Sequence, residues 1–145
     1  MTLYLQTKMS FLHRNKRLWT VLVLLSFVLF RAGAQSNADA VFVPIAKYLY
    51  EGDAAKLSAW FFDNVELSID SNEYVMSRKQ AFQMMTSFFE QYVPESFTID
   101  HGASRSIVKC AVGKMVAGGE YFDVFIFVSN RGDGYKIQKL MFQKN

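Results

Sequence analysis

The 145 residues carry 16 basic and 13 acidic side chains, a net charge of +3, with two histidines and one cysteine. All 13 acidic residues follow position 34, whereas Lys8, Arg14, Lys16, Arg17 and Arg31 precede it, so residues 35–145 carry a net charge of −2. The basic balance belongs to the N-terminus and offers no clustered basic face for nucleic acid, and Cys110, as the sole cysteine, excludes an intrachain disulfide.

The first element is an export signal. His13-Arg14-Asn15-Lys16-Arg17 precedes an apolar run from Leu18 to Phe30, followed by Ala32-Gly33-Ala34. That run is 13 residues long, short of the roughly 20 a helix needs to cross a bilayer core. Small residues at the two positions read by a signal peptidase predict cleavage after Ala34. A retained N-terminal anchor is the alternative, because Arg31 interrupts the path from apolar run to cleavage site. A lipid anchor would need a cysteine just after the cleavage point, where Gln35-Ser36-Asn37 stands instead. Export to the periplasm or the exterior is therefore expected, with no stable membrane span after cleavage and with residues 35–145 as a single domain. A chain of that size buries roughly two thirds of its unfolded surface and folds without staples or metal.

From Val41 to Glu51, Val41, Ile45, Tyr48 and Leu49 recur at helical spacing, and Pro44 fits if it occupies the first turn. Gly52 suits a helix C′ position and Asp53 an N-cap for a second helix, Ala54 to Trp60, with Leu57, Trp60 and Phe61 on one side. The period then changes to two: Val65, Leu67 and Ile69 alternate with polar residues as a strand, followed by a turn at Ser71-Asn72 and a short strand from Glu73 to Met76. Ser77-Arg78-Lys79-Gln80 is a capping-box pattern opening a third helix, on which Ala81, Phe82, Met85, Phe88, Phe89 and Tyr92 form a broad apolar face. After Pro94 come four strands, Phe97 to Gly102, Ile107 to Ala117, Glu120 to Ser129 and Tyr135 to Gln143. Gly118-Gly119 and Arg131-Gly132-Asp133-Gly134 supply hairpin turns. Helices followed by an antiparallel sheet predict an α+β domain, its twisted sheet curling into a cone whose mouth forms a pocket.

Tyr50-Glu51-Gly52-Asp53 with Leu57, Phe62-Asp63-Asn64-Val65-Glu66-Leu67, Ser77 with Gln80-Ala81, Phe88-Phe89, and Phe97 followed by His101-Gly102 carry a resemblance. The pattern resembles a secreted bacterial domain-of-unknown-function family with the cone-shaped nuclear transport factor 2-like, or cystatin-like, fold. The resemblance implies N-terminal helices packed on a strongly curved antiparallel sheet. It implies no single activity, since that superfamily holds isomerases, dehydratases, hydrolases and non-enzymatic binding domains.

Chemistry-bearing residues are few. His101 is the only histidine after residue 34, and Asp100 beside it on a strand points to the opposite face unless a bulge intervenes. Cys110 shares a face with Val108 and Val112 and reads as a small buried hydrophobe. Asp123, within Tyr121-Phe122-Asp123-Val124-Phe125-Ile126-Phe127-Val128, has two readings. As an isomerase-like acid or base it would lie in the cone with Tyr121 or Tyr48 as a second donor. More simply, it sits near a strand end, solvated or paired with a lysine such as Lys114 or Lys139. Arg131-Gly132-Asp133 reads as a turn, and Phe42, Phe61, Phe62, Phe82, Phe88 and Phe89 as core.

The strand from Tyr121 to Val128 is apolar on both faces. An antiparallel sheet with one solvated face alternates, so the second face needs a cover, and a homodimer through the sheet is the expected partner arrangement. The expectation is a non-catalytic binding or interaction module with an apolar pocket, taking Tyr48, His101, Tyr121 and Asp123 as candidate pocket residues and a small apolar ligand. No catalytic residue, metal or cofactor is assigned. The alternatives are an isomerase- or dehydratase-like enzyme acting on a small apolar substrate, and a structural homodimer domain.

Overall fold

Asp53 and Ser77 set the starts of two helices, and both do so through their side chains. In the computed structural model, which describes residues 37–145, Lys56 N–H donates to Asp53 Oδ1 at 2.9 Å. Ser77 and Gln80 complete a capping box, each side-chain oxygen accepting from the other's backbone N–H. The predicted export signal, residues 1–34, lies outside the described residues. The helices are α1 (Asn37–Glu51), α2 (Ala54–Ser58) and α3 (Arg78–Gln91). The strands are β1 (Phe61–Ile69), β2 (Asn72–Ser77), β3 (Pro94–Arg105), β4 (Val108–Ala117), β5 (Glu120–Asn130) and β6 (Tyr135–Lys144). Among the described residues, no helix is long and apolar enough to cross a membrane.

α3 has no acidic residue in its first turn, so its start relies on the Ser77 box. Ser77→Ala is expected to cost about 1 kcal/mol, read as a lower denaturation midpoint at unchanged slope.

The strands form one six-stranded sheet in the order β2-β1-β6-β5-β4-β3. Neighbours are antiparallel except β1 and β6, which pair in parallel, a departure from the all-antiparallel expectation. Parallel neighbours require a long connection, and the whole of β2 to β5 supplies it. The helices pack on one face, α1 against β3 and α3 against β1. Phe42, Ile45 and Leu49 of α1, Leu57 of α2, and Ala81, Met85, Phe88 and Phe89 of α3 are buried there. They meet Phe122, Val124, Ile126 and Val128 of β5 and Ile137, Leu140 and Phe142 of β6. The fold is thus α+β, helices on one face of a mostly antiparallel open sheet.

Several local expectations are corrected. α1 starts at Asn37, which puts Pro44 in its interior rather than its first turn. The Ala40 carbonyl therefore has no i+4 donor, and the exposure of Ala40 leaves it open to water. α2 ends at Ser58, and Phe61 begins β1, where it pairs with Ile137 of β6 and its side chain is buried. Phe62 and Phe82 are not core: the Arg131 guanidinium lies 4.2 Å from the Phe62 ring centroid, and Phe82 is 38% exposed on α3.

Candidate functional site

β5 alternates cleanly between two environments. Phe122 meets the rings of Phe88 and Tyr92 on the helix-covered side, so Tyr121, Asp123, Phe125 and Phe127 point to the other side, which no helix among the described residues covers. The register extends this outer face across the sheet. One row runs His101, Val112, Phe125, Met141, Ser68, Glu73; the next runs Ala103, Cys110, Phe127, Lys139, Glu66, Val75. The five central side chains Cys110, Val112, Phe125, Phe127 and Met141 are half-buried, while Val75, at 76%, and Tyr121, at 64%, stand exposed.

Charge lies around the apolar centre of this face, on the central strands β6 and β5 as well as toward the edges. Lys139 donates to both Glu66 and Glu73, which leaves that corner with one net negative charge. Lys114 and Asp123 face each other across β4 and β5 with 3.9 Å between Nζ and Oδ1. His101 lies on the edge strand β3, with Arg105 at its end. A bulge does intervene between Ile99 and His101, at Asp100, yet no hydrogen bond joins the two side chains among the described residues, and both are exposed.

The four candidate pocket residues divide between two sides. Tyr48 is on α1, half-buried against the core, with Lys56 Nζ 5.9 Å from its ring centroid. His101, Tyr121 and Asp123 all stand on the outer face. His101 and Asp123 are two strands apart and offset by two residues, about 10 Å across and 7 Å along. Neither reaches the other or Tyr48, so no acid–base pair is assembled from these residues. Cys110 belongs to the outer face as well, half-exposed rather than in the core. β4 is in the opposite phase from the one expected: Ala111, Gly113, Met115 and Ala117 face the helices.

Inside the cone, Phe88, Phe89, Tyr92, Phe122 and Phe142 pack ring against ring, centroids 4.6 to 5.7 Å apart. Sequence reasoning missed Lys109, which is 7% exposed, in phase with the inward residues of β4, its Nζ 4.7 Å from the Tyr135 ring centroid. The alternation Lys109-Ala111-Gly113-Met115 is the signal that marks it. An open cleft of about 540 Å3 lies between the α1–α2 junction and α3, with Glu51, Asp53, Phe82, Phe89 and Glu90 in its walls. The Asp53 carboxyl is held below the ordinary carboxylate range by the Lys56 backbone N–H and then by the Lys56 ammonium 3.1 Å away, the signature of a helix cap. Among the described residues, no group of three or more His, Cys, Asp or Glu side chains is placed to hold a metal ion.

Helices on one face of an open, mostly antiparallel six-stranded sheet define the nuclear transport factor 2-like, or cystatin-like, class. An NTF-2-like protein of unknown function from Silicibacter pomeroyi shares the fold at 16% identity and a TM-score of 0.57, over 74% of this chain and 93% of that one. The chain belongs to the family described as Domain of unknown function (DUF4783), whose family model matches residues 42–143. A DUF4783 family protein from Bacteroides uniformis superposes with a TM-score of 0.68 at 22% identity, over 70% of this chain and 94% of that one. Another, from Bacteroides ovatus, does so with a TM-score of 0.69 at 19% identity, over 71% and 94%. No curated protein matches the chain.

Proposed function

We propose that this is an exported, non-catalytic interaction domain and that the face of its sheet opposite the described helices is the contact surface. The observation that carries this reading is the double-sided apolar character of β5: one side is buried under the helices, the other presents Phe125 and Phe127 among Val112, Cys110 and Met141. Contiguous apolar surface of this kind is uncommon on a monomer and marks contact sites. The arrangement, an apolar centre with a charged margin, is that of a protein interface. Support for a surface rather than an internal pocket comes from the ring packing inside the cone. The separation of His101 from Asp123, and the Lys114 partner of Asp123, weigh on the same side against an isomerase-like site. Export rests on the sequence of the first 34 residues.

The test is native mass spectrometry of the protein recovered from the periplasm of an expressing cell, beside Phe125→Lys. The wild-type protein is expected to carry a bound protein, whether a second copy or another chain. A lysine in the centre of the face is expected to weaken that complex roughly 30-fold or more, the effect of losing a central anchor, with the far-ultraviolet circular dichroism unchanged. A bare wild-type monomer at every concentration would sink the proposal.

A further inference from the structure

β2 and β3 are the two edges of the sheet. An edge strand presents unpaired backbone N–H and C=O groups that attract another strand, and folds blunt such edges with proline, bulges, lysines or a covering element. β3 has three of these devices: it opens on Pro94, its register shifts at Pro94/Ser96 and at Ile99/His101, and α1 packs against it. β2 has no proline, lysine or bulge. It pairs with β1 without a break from Ile69↔Asn72 to Asn64↔Ser77, and it leaves both Tyr74 and Val75 exposed.

Which backbone groups of β2 face outward follows from the far side of β1. The Asp70 N–H donates to the Phe142 carbonyl of β6. Successive residues of a strand turn their backbone groups to opposite sides, so Ser68 and Glu66 also turn to β6, while Ile69, Leu67 and Val65 bond β2. Their partners Asn72, Tyr74 and Met76 are thereby used. Glu73, Val75 and Ser77 turn away from β1, and of these the Ser77 N–H is capped by Gln80 Oε1. The N–H and C=O groups of Glu73 and Val75 stand at the open edge, at the spacing of alternate residues in an extended backbone. The side chains beside them differ in kind. Glu73 lies in the corner that Glu66 and Lys139 leave with one net negative charge, Val75 stands on the same outer face, and Tyr74 between them projects to the helix side in phase with the buried Leu67.

We propose that the β2 edge binds an extended segment of another protein, which adds to the sheet as an antiparallel strand with apolar residues opposite Val75 and Tyr74 and a basic residue opposite Glu73. Main-chain hydrogen bonds supply the affinity in strand addition, and the side chains on either face supply the selectivity. Antiparallel pairing is slightly the more stable per residue, and opposite charges directly across a strand pair favour it further. The edge is a site separate from the outer face and stands or falls without it.

The probe is the blocked peptide Thr-Val-Tyr-Lys-Val-Thr, titrated into the isotope-labelled purified protein and followed by nuclear magnetic resonance. A saturable shift of the Glu73 and Val75 amides is expected. Val75→Pro removes an N–H that the fold does not use, at an edge where proline is tolerated. It is expected to keep the circular dichroism of the wild type and to weaken the peptide at least about tenfold. The same loss is expected on the unaltered protein when the amides of the first valine and the lysine of the probe are methylated, since these face Val75 and Glu73. Glu73→Lys is expected to weaken the peptide about fivefold, and a probe with glutamate in place of lysine to recover it to within about twofold. No saturable shift at β2, a methylated probe that binds as well as the unmodified one, or binding indifferent to Val75→Pro overturns the proposal. Self-association that Val75→Pro abolishes, with the probe unbound, gives the edge to a second copy and overturns it as well.

Discussion

Phe142→Ala is expected to lower the stability of this domain by about 3–5 kcal/mol, the range for removing a fully buried aromatic side chain. Phe142 has no exposed surface, and its ring centroid lies 4.6 Å from that of Phe88. Its strand neighbours are Val124 on β5 and Ile69 on β1, so it stands where the parallel and antiparallel parts of the sheet meet. The neighbours that would have to fill the space are themselves held, Phe88 by its other ring contacts and Val124 by its strand. Collapse is therefore limited, which places the cost toward the upper end. A small domain has only about 5–15 kcal/mol in total, so the variant should unfold roughly 15 °C or more below wild type. Phe82→Ala, on the exposed side of α3, provides the comparison and should cost less than about 1 kcal/mol. A loss at Phe142 no larger than at Phe82 would show that the aromatic cluster adds little beyond burial of its margin.

The helices were legible because their signals are local. The Ser77 box, the Asp53 cap and the Gly52 terminator each act within a few residues, and Gly52 adopts φ +66° as a C′ residue should. The start of α1 was not legible: a proline at position 44 argues for a first turn nearby, yet the helix extends back to Asn37 because the packing of Phe42, Ile45 and Leu49 outweighs one missing bond. The parallel pairing of β1 with β6 was beyond any local signal, since it joins segments some 70 residues apart through register alone. Phe61 shows the same effect on a small scale. Its spacing from Leu57 suits a helix face, but its pairing with Ile137 draws it into the sheet.

At the candidate site, the two-sided apolar pattern of β5 was readable, whereas the surroundings of Asp123 were left open between solvent, Lys114 and Lys139, and the register sets Lys114 opposite it. The phase of β4 was not. Val108-Lys109-Cys110-Ala111-Val112 offers apolar groups at either parity, and choosing the valines placed Cys110 in the core and hid Lys109. The deciding residues were the small ones, because Ala111, Gly113 and Ala117 are what fit beneath the helices and the Phe97 ring. Tyr48 failed to join the other three candidates for a reason no single segment reveals: helix and outer face lie on opposite sides of the sheet.

Gly113 is the second position where a large effect is expected. It lies on β4 opposite Ile99, next to the bulge at Asp100, with ordinary strand backbone, so its lack of a side chain does not reflect a left-handed conformation. A Cβ built there would fall 2.6 Å from the Thr98 carbonyl oxygen and 2.7 Å from Cζ of Phe97. Two effects of opposite sign compete in Gly113→Ala. Reducing the freedom of the unfolded chain favours alanine by about 0.4–1 kcal/mol, while forcing a methyl group into a packed site costs about 1–3 kcal/mol. The second should win, because a backbone oxygen cannot withdraw without moving β3, and equilibrium denaturation is expected to show a net loss of about 1–2 kcal/mol. Phe97→Leu introduced together with Gly113→Ala separates the two obstacles. It relieves the ring contact but not the carbonyl, so it should recover only part of the loss attributable to the methyl group, measured against Phe97→Leu alone. A neutral or stabilised Gly113→Ala would mean that the edge strand yields at its bulge more readily than the interior packs. The margin carrying His101 would then be soft, and any contact made through it would have to order it at a cost in affinity.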